Sequence, residues 1–216
     1  MAVLSRFLSA GLLATTAVTA SPLTSWFGKR AVIDSDAVVG FPTTVPSGTE
    51  GTLGGLAPTG ATNGGCSSST GQIYARATTY GDYYAIMYAW YMPKDEPSSG
   101  LGHRHDWEGV IVWLSSSTST TASNILAVCP SAHGNWDCST DSYTLSGTKP
   151  LIKYESVWPL DHSCGLTSTV GGTQPLIAWE SVPTVAQTAL DDTDFGSAIV
   201  PFIDAHFETN LGNAAF

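Results

Sequence analysis

The sequence predicts a mainly β protein, a β-sandwich with a few short peripheral helices, and three observations carry that reading. From Gly71 onward, short apolar runs rich in Ile, Val, Tyr and Trp alternate with Gly, Pro, Asn and Ser, which is the pattern of strands and turns. Several short strands at such spacing indicate two packed sheets. Helical patterning is confined to the C-terminal end.

The expected strands are Gln72–Thr78, Tyr83–Tyr91, Trp107–Leu114, Asn124–Cys129, Leu151–Glu155 and Leu176–Glu180. A short amphipathic helix is expected over Thr184–Leu190, with Ser181 as its cap and Pro183 near its first turn. A second is expected over Ala205–Leu211. The hydroxyl-rich run Ser115–Ser123 reads as a polar loop. Residues 31–70, with many Gly, Pro, Ser and Thr, should be extended or irregular.

At the N-terminus Arg6 precedes an apolar run that ends in Val18-Thr19-Ala20, a small-residue pattern suited to signal peptidase. Residues 1–20 are therefore expected to be a signal peptide, and export is expected with it. Lys29-Arg30 reads either as a dibasic site that ends a propeptide over 21–30, which leaves 31–216 as one domain, or as a solvated charge pair. The whole chain has a formal charge of −10; without its first thirty residues five basic side chains face eighteen acidic ones, 5 − 18 = −13. Such a chain repels nucleic acid and lacks a basic patch for anionic lipid. Contact with a membrane would have to be specific to a headgroup or mediated by a cation.

Four cysteines, Cys66, Cys129, Cys138 and Cys164, suit an oxidising compartment and could form two disulfides in any of three connectivities. None lies in a Cys-x-x-Cys pair, which argues against a zinc site.

Chemistry concentrates in Gly102-His103-Arg104-His105-Asp106-Trp107-Glu108, two imidazoles and two carboxylates directly before an apolar strand. Buried charge is unfavourable unless paired or metal-bound, so the cluster is expected at the mouth of a cleft. Strand alternation places Asp106 and Glu108 on one face and Trp107 on the other. Asp95, on the turn Pro93–Pro97, can be brought back opposite them. Oxygen-rich ligation with at most one imidazole favours Mg²⁺, Ca²⁺ or Mn²⁺ over zinc. An alternative pairs Arg104 with Asp106 or Glu108 as a salt-bridge network.

A metal-dependent hydrolase, with His103 or His105 as base, is a further alternative, but the two His at i, i+2 do not have the helical i, i+4 spacing of a zincin. No nucleophile elbow, Walker loop or dinucleotide fingerprint is present, so no enzymatic activity is expected. Trp158, beside Pro159 and His162, has the chemistry of a membrane-interface side chain or of a core residue. His133 is another candidate contact.

Ala85–Asp95 followed by Gly102–Glu108 resembles the paired signature of necrosis- and ethylene-inducing-peptide-like proteins. The likeness continues through Ser131-Ala132-His133-Gly134, Tyr154–Leu160, Gly171-Gly172 and Asp194–Ala198. It implies a β-sandwich similar to actinoporins and fungal lectins, secretion into the host apoplast, and cytolysis of plant cells through glycosyl inositol phosphoryl ceramide, an outer-leaflet sphingolipid. It places the metal pocket on Asp95, His103, Asp106 and Glu108, and lipid or sugar contacts on Trp158 and His162. It also implies detection of residues 85–108 by a plant immune receptor. One departure is expected to matter: Leu53-Gly54-Gly55-Leu56 skips a stretch that in the family carries a strand and the usual partner of Cys66. That leaves Cys129, Cys138 and Cys164 to form one bridge and one leftover. A non-cytotoxic family member, active only as an immune-recognised pattern, is the alternative this departure raises.

Overall fold

A computed structural model of the chain describes residues 71–98, 100–157 and 161–216. The expected signal peptide and propeptide, segment 31–70 with its departure after Leu53, Cys66 and Trp158 lie outside the described residues.

Among the described residues the strands are β1 (Ile73–Tyr80), β2 (Tyr83–Ser98), β3 (Leu101–Leu114), β4 (Ile125–Ala132), β5 (Asn135–Trp136), β6 (Leu145–Ser146), β7 (Lys149–Pro150), β8 (Ile152–Val157), β9 (Asp161–Leu166) and β10 (Leu176–Ala178). Two short helices follow, α1 (Thr184–Asp192) and α2 (Phe207–Asn213). The main sheet runs β10-β1-β2-β3-β4-β5, parallel only between β10 and β1. Hairpins β6–β7 and β8–β9 form two further antiparallel ladders.

β2 and β3 are buried on both faces, so their alternating side chains feed two separate cores. On one face Ala85, Met87, Ala89, Trp107, Ile111 and Trp113 meet the C-terminal chain. On the other, Tyr84, Ile86, Val110, Val112 and Leu114 pack with Val128 and with Ile152 and Leu166 of the β8–β9 hairpin. Sandwich and short helices thus agree with the expectation, and the helices with their flanking turns cover the first face.

Aromatic packing and one cation fix that cover. Phe202 is fully buried, stacked on Tyr74 at 5.0 Å and edge-on to Trp107 and Trp179. Arg76 of β1 lies over Phe207 at 4.6 Å and Trp179 at 5.5 Å, and donates to the Phe202 carbonyl at 2.8 Å. Trp113 Nε1 donates to the Ala214 carbonyl at 2.9 Å, which ties the chain end to the central strand.

Three local expectations are corrected. Pro93–Pro97 lies inside β2 rather than in a turn, because the charged stretch stays paired with the start of β3, which begins at Leu101 and not near Asp106. Ser181 does not cap α1; it belongs to a 3-10 turn, Trp179–Ser181, and Pro183, whose ring fixes φ, takes the cap position without a side-chain bond. β9 and the short strands β5, β6 and β7 had no sequence counterpart. The bridge is Cys129–Cys138, tying β4 to the chain just past β5, and Cys164 is the leftover, free and buried.

Truncating Phe202→Ala removes the ring shared by Tyr74, Trp107 and Trp179. It is expected to cost about 3–5 kcal/mol in urea unfolding followed by tryptophan fluorescence. A loss under about 1 kcal/mol would mean that the C-terminal layer is not part of the cooperative core.

Candidate functional site

The β2–β3 hairpin builds the base of the site. Its register sets Asp95 opposite His103, Met92 opposite Asp106 and Trp90 opposite Glu108. The ladder skips Pro93, which has no N–H to give, and in this stretch His105 adopts φ 58°. Gly102, at φ 106°, makes the closest backbone approach: a Cβ there would lie 2.1 Å from the Asp95 carbonyl oxygen.

Alternation divides the two signature halves as expected. His105 and Trp107 point to the C-terminal layer, where Tyr91 Oη and His105 Nδ1 are 2.7 Å apart and Phe195 meets both rings edge-on. Asp106 and Glu108 take the opposite face. There Tyr154 Oη donates to Asp106 Oδ2 at 2.8 Å, and Ser131 Oγ donates to Glu108 Oε2.

The β8–β9 hairpin closes over that face. Its inner side presents Tyr154, Ser156, His162 and Cys164, through the pairs Tyr154↔Cys164 and Ser156↔His162. Ser156 donates to the Pro97 carbonyl at 3.1 Å, His162 Nδ1 bonds to Asp95 Oδ1, and the Tyr154 and His162 rings stack at 4.8 Å. Asp95, Asp106, Glu108 and His162 are consequently buried, and the cluster is roofed rather than lining an open mouth. His103 is the part-exposed member.

Electrostatics follow from this crowding. Burial, reinforced by the charge of Asp95, pushes the Asp106 carboxyl up to about 6 against the Tyr154 hydrogen bond and His103. For His103, burial lowers the pKa, but bonds to the Arg104 and His105 carbonyls and the charges of Asp95 and Asp106 outweigh it, so the net shift is upward. Burial and then Asp106 raise the Tyr154 phenol, which stays a donor. Burial, Glu108 and Asp106 raise the Cys164 thiol, which keeps it neutral.

The donor chemistry fits a hard cation. His103 Nδ1 gives its proton to the His105 carbonyl at 2.8 Å, so a neutral ring turns the lone pair of Nε2 toward Asp95 Oδ2, 3.3 Å away. Two lone pairs so placed need a proton or a metal ion beside them. Among the described residues no three His, Cys, Asp or Glu side chains are already spaced to hold one ion between them. Ligation would therefore draw Asp95, Asp106 and Glu108 inward with water completing the shell.

Of the other candidates, His133 is exposed in a two-residue turn with Gly134, at φ 53° and 74°, the type I′ geometry that joins β4 to β5. His162 joins the cluster's hydrogen bonds through Asp95. Arg104 acts electrostatically on Tyr91, whose phenol burial raises and Arg104 lowers, while the carboxylates take hydroxyl and imidazole partners. Tyr154 and Ser131 received no role from sequence reasoning, since the only signal would have been pairing across 48 and 23 residues.

Fold and site define a β-sandwich that carries a buried His/carboxylate cluster on its longest strand pair. Residues 41–214 match the family described as necrosis inducing protein (NPP1), and the chain belongs to that family. NLP effector protein 1 of Phytophthora capsici is 44% identical over 86% of this chain and 92% of its own length. The solved structure of NLPPya in complex with mannosamine is similar at TM-score 0.69 and 48% identity, covering 76% of each chain. The non-toxic HaNLP3 protein is similar at TM-score 0.70 and 40% identity, covering 79% of this chain and 81% of its own.

Gly102→Ala is expected to force the hairpin apart at Asp95, with a loss of about 1–3 kcal/mol from backbone strain and separation of His103 from Asp95. Unfolding midpoints and the His103 ring resonances by NMR read both effects. Wild-type values for the two would show that the close approach does not set the site.

Proposed function

We propose that the chain is a secreted cytolysin that engages the glycosyl inositol phosphoryl ceramide headgroup of plant plasma membranes and damages the bilayer. Asp95, His103, Asp106 and Glu108 would hold a divalent cation, Mg²⁺, Ca²⁺ or Mn²⁺. When bound, such an ion supplies the positive charge to which a headgroup phosphate or sugar hydroxyl can bind. The observation that carries this reading is the crowding of Asp95 and Asp106 beside the Nε2 lone pair of His103.

Charge supports it as well. A chain of −13 after loss of its leader repels an anionic headgroup, and a cation reverses the sign locally. The mannosamine complex of NLPPya supports a glycan as part of the target. The paired strands of 85–108 would also be the segment presented to a plant immune receptor. In this reading nothing is turned over, and His103 and His162 orient carboxylates rather than act as bases.

The likeness to HaNLP3, a non-toxic protein, favours a second reading in which the fold and the immune-visible segment persist without lysis.

Dye release from vesicles containing the plant sphingolipid separates the two. Leakage is expected with divalent cation, to vanish with chelator, and to fall at least about tenfold for Asp106→Ala, as loss of a ligand does more than loss of an outer partner. A folded wild-type protein that releases no dye would overturn the cytolysin and leave the second reading. Leakage indifferent to chelator would overturn the metal.

A further inference from the structure

Resting on the cation reading above, we infer that His105 is a positioning residue whose left-handed backbone turns the β2–β3 ladder over between Asp106 and His103, and so brings His103 and Asp95 to the acid face. Strand alternation alone would put them on the other face. Counting in twos from Trp107 along β3 gives His105 and then His103, and counting from Tyr91 along β2 gives Pro93 and then Asp95. Trp107, Tyr91 and His105 do lie against the C-terminal layer, each in ring contact with Phe195. His103 and Asp95 do not follow them.

Asp95 reaches His162 of β9 through one oxygen, and its other oxygen lies 3.3 Å from His103 Nε2. Both side chains act electrostatically on Asp106, on the face that the β8–β9 hairpin covers. Arg104 crosses in the opposite sense: alternation groups it with Asp106, yet it acts on the Tyr91 phenol of the C-terminal layer. Between the two patterns the ladder omits one pair, Pro93 with His105, and resumes unshifted at Lys94↔Arg104. No residue is inserted, so both strands turn together. Pro93 has no N–H to tie the ladder at that point, and His105 at φ 58° supplies the turn, because positive φ breaks the pleat and re-aims the side chains beyond it, as a bulge does.

Few non-glycine residues adopt positive φ, histidine more often than most. Here the conformation is held from both sides of the sheet. On one side the His105 ring is fully buried, with Nδ1 2.7 Å from Tyr91 Oη and Phe195 edge-on at 5.5 Å. On the other its carbonyl accepts from His103 Nδ1 at 2.8 Å. One residue thus roots its side chain in the aromatic core while its backbone aims the imidazole of a candidate ligand. In an uninterrupted ladder His103 and Asp95 would face the aromatic rings, and Asp106 and Glu108 would be left without them.

The test compares wild type with His105→Gly, His105→Asn and His105→Ala, by NMR on the metal-free protein and by calorimetric titration with Mg²⁺ and Ca²⁺. Glycine and asparagine accept positive φ and alanine resists it, although all three remove the imidazole. In wild type, a strong nuclear Overhauser effect between Hα and the amide proton of His105 is expected, with cross-peaks from the His103 ring to the His162 ring. His105→Gly and His105→Asn should keep the His103–His162 cross-peaks. His105→Ala should lose them and weaken ion binding about 10–100-fold, the usual effect of losing an outer-shell partner. Equal behaviour of the glycine and alanine variants would overturn the inference while the cation site stands. So would wild-type cross-peaks from the His103 ring to Phe195 or Trp107 in place of His162, an arm that decides even where a variant does not fold. A wild-type protein that shows the expected contacts and binds neither ion would overturn the cation reading, and the positioning role with it.

Discussion

The pairing of β2 with β3 is the constraint on which the rest of the molecule depends. It runs from Tyr84↔Leu114 to Ser98↔Leu101, and it is buried on both faces over most of its length. A strand with two buried faces cannot slip by one residue without exchanging its cores, so its register is strongly specified. That same register decides where charge goes. Trp107, between Asp106 and Glu108, is locked among Tyr74, Tyr91, Phe195 and Phe202, and the two carboxylates are thereby forced onto the opposite face.

Burying several acids there is tolerable only because each finds a partner. Asp95 is held between His103 and His162, Asp106 takes the Tyr154 hydroxyl, and Glu108 takes Ser131. All of these partners apart from His103 come from outside the β2–β3 hairpin, and two of them come from β8–β9. The site is therefore a property of the packed sandwich, not of a peptide motif. Burial, with the charge of Asp95, holds Asp106 well above the ordinary aspartate range, and the Tyr154 hydrogen bond offsets only part of that shift.

Much of this was legible in the sequence. Strand periodicity placed β1, β4 and the start of β2 within a few residues, because aliphatic, β-branched and aromatic side chains predominate there between turn residues. The opposite facing of Trp107 and its flanking acids followed from the period of two alone. Other features were illegible for definite physical reasons. Pro93 and Pro97 read as a turn, since local propensity cannot foresee that Lys94 and Glu96, an ion pair 2.5 Å apart, keep the segment in the strand. β9 contains Asp161, His162, Ser163 and Gly165, a polar composition that makes sense only once its inner face is known to cover the carboxylates. His162 looked like a companion of the neighbouring tryptophan, and its bond to Asp95, 67 residues earlier, has no local signal in the sequence.

β4 shows how a residue that weakens a sheet can create a tertiary contact. Pro130 ends the β3–β4 ladder, and an ordinary strand would lose stability at that point. Here the Cys129–Cys138 bridge and the Asp137 N–H bonded to the Pro130 carbonyl at 2.9 Å fold the chain back, and the tight turn at His133-Gly134 sets Trp136 over Gly109. Past the last ladder pair at Pro130, the Ser131 hydroxyl accepts from the Gly109 N–H and reaches Glu108 as well. A serine in an uninterrupted ladder would have left the carboxylate without this tether. The proline, the disulfide and the glycine therefore act on one another through Ser131, and the orientation of Glu108 is the point at which their separate effects meet.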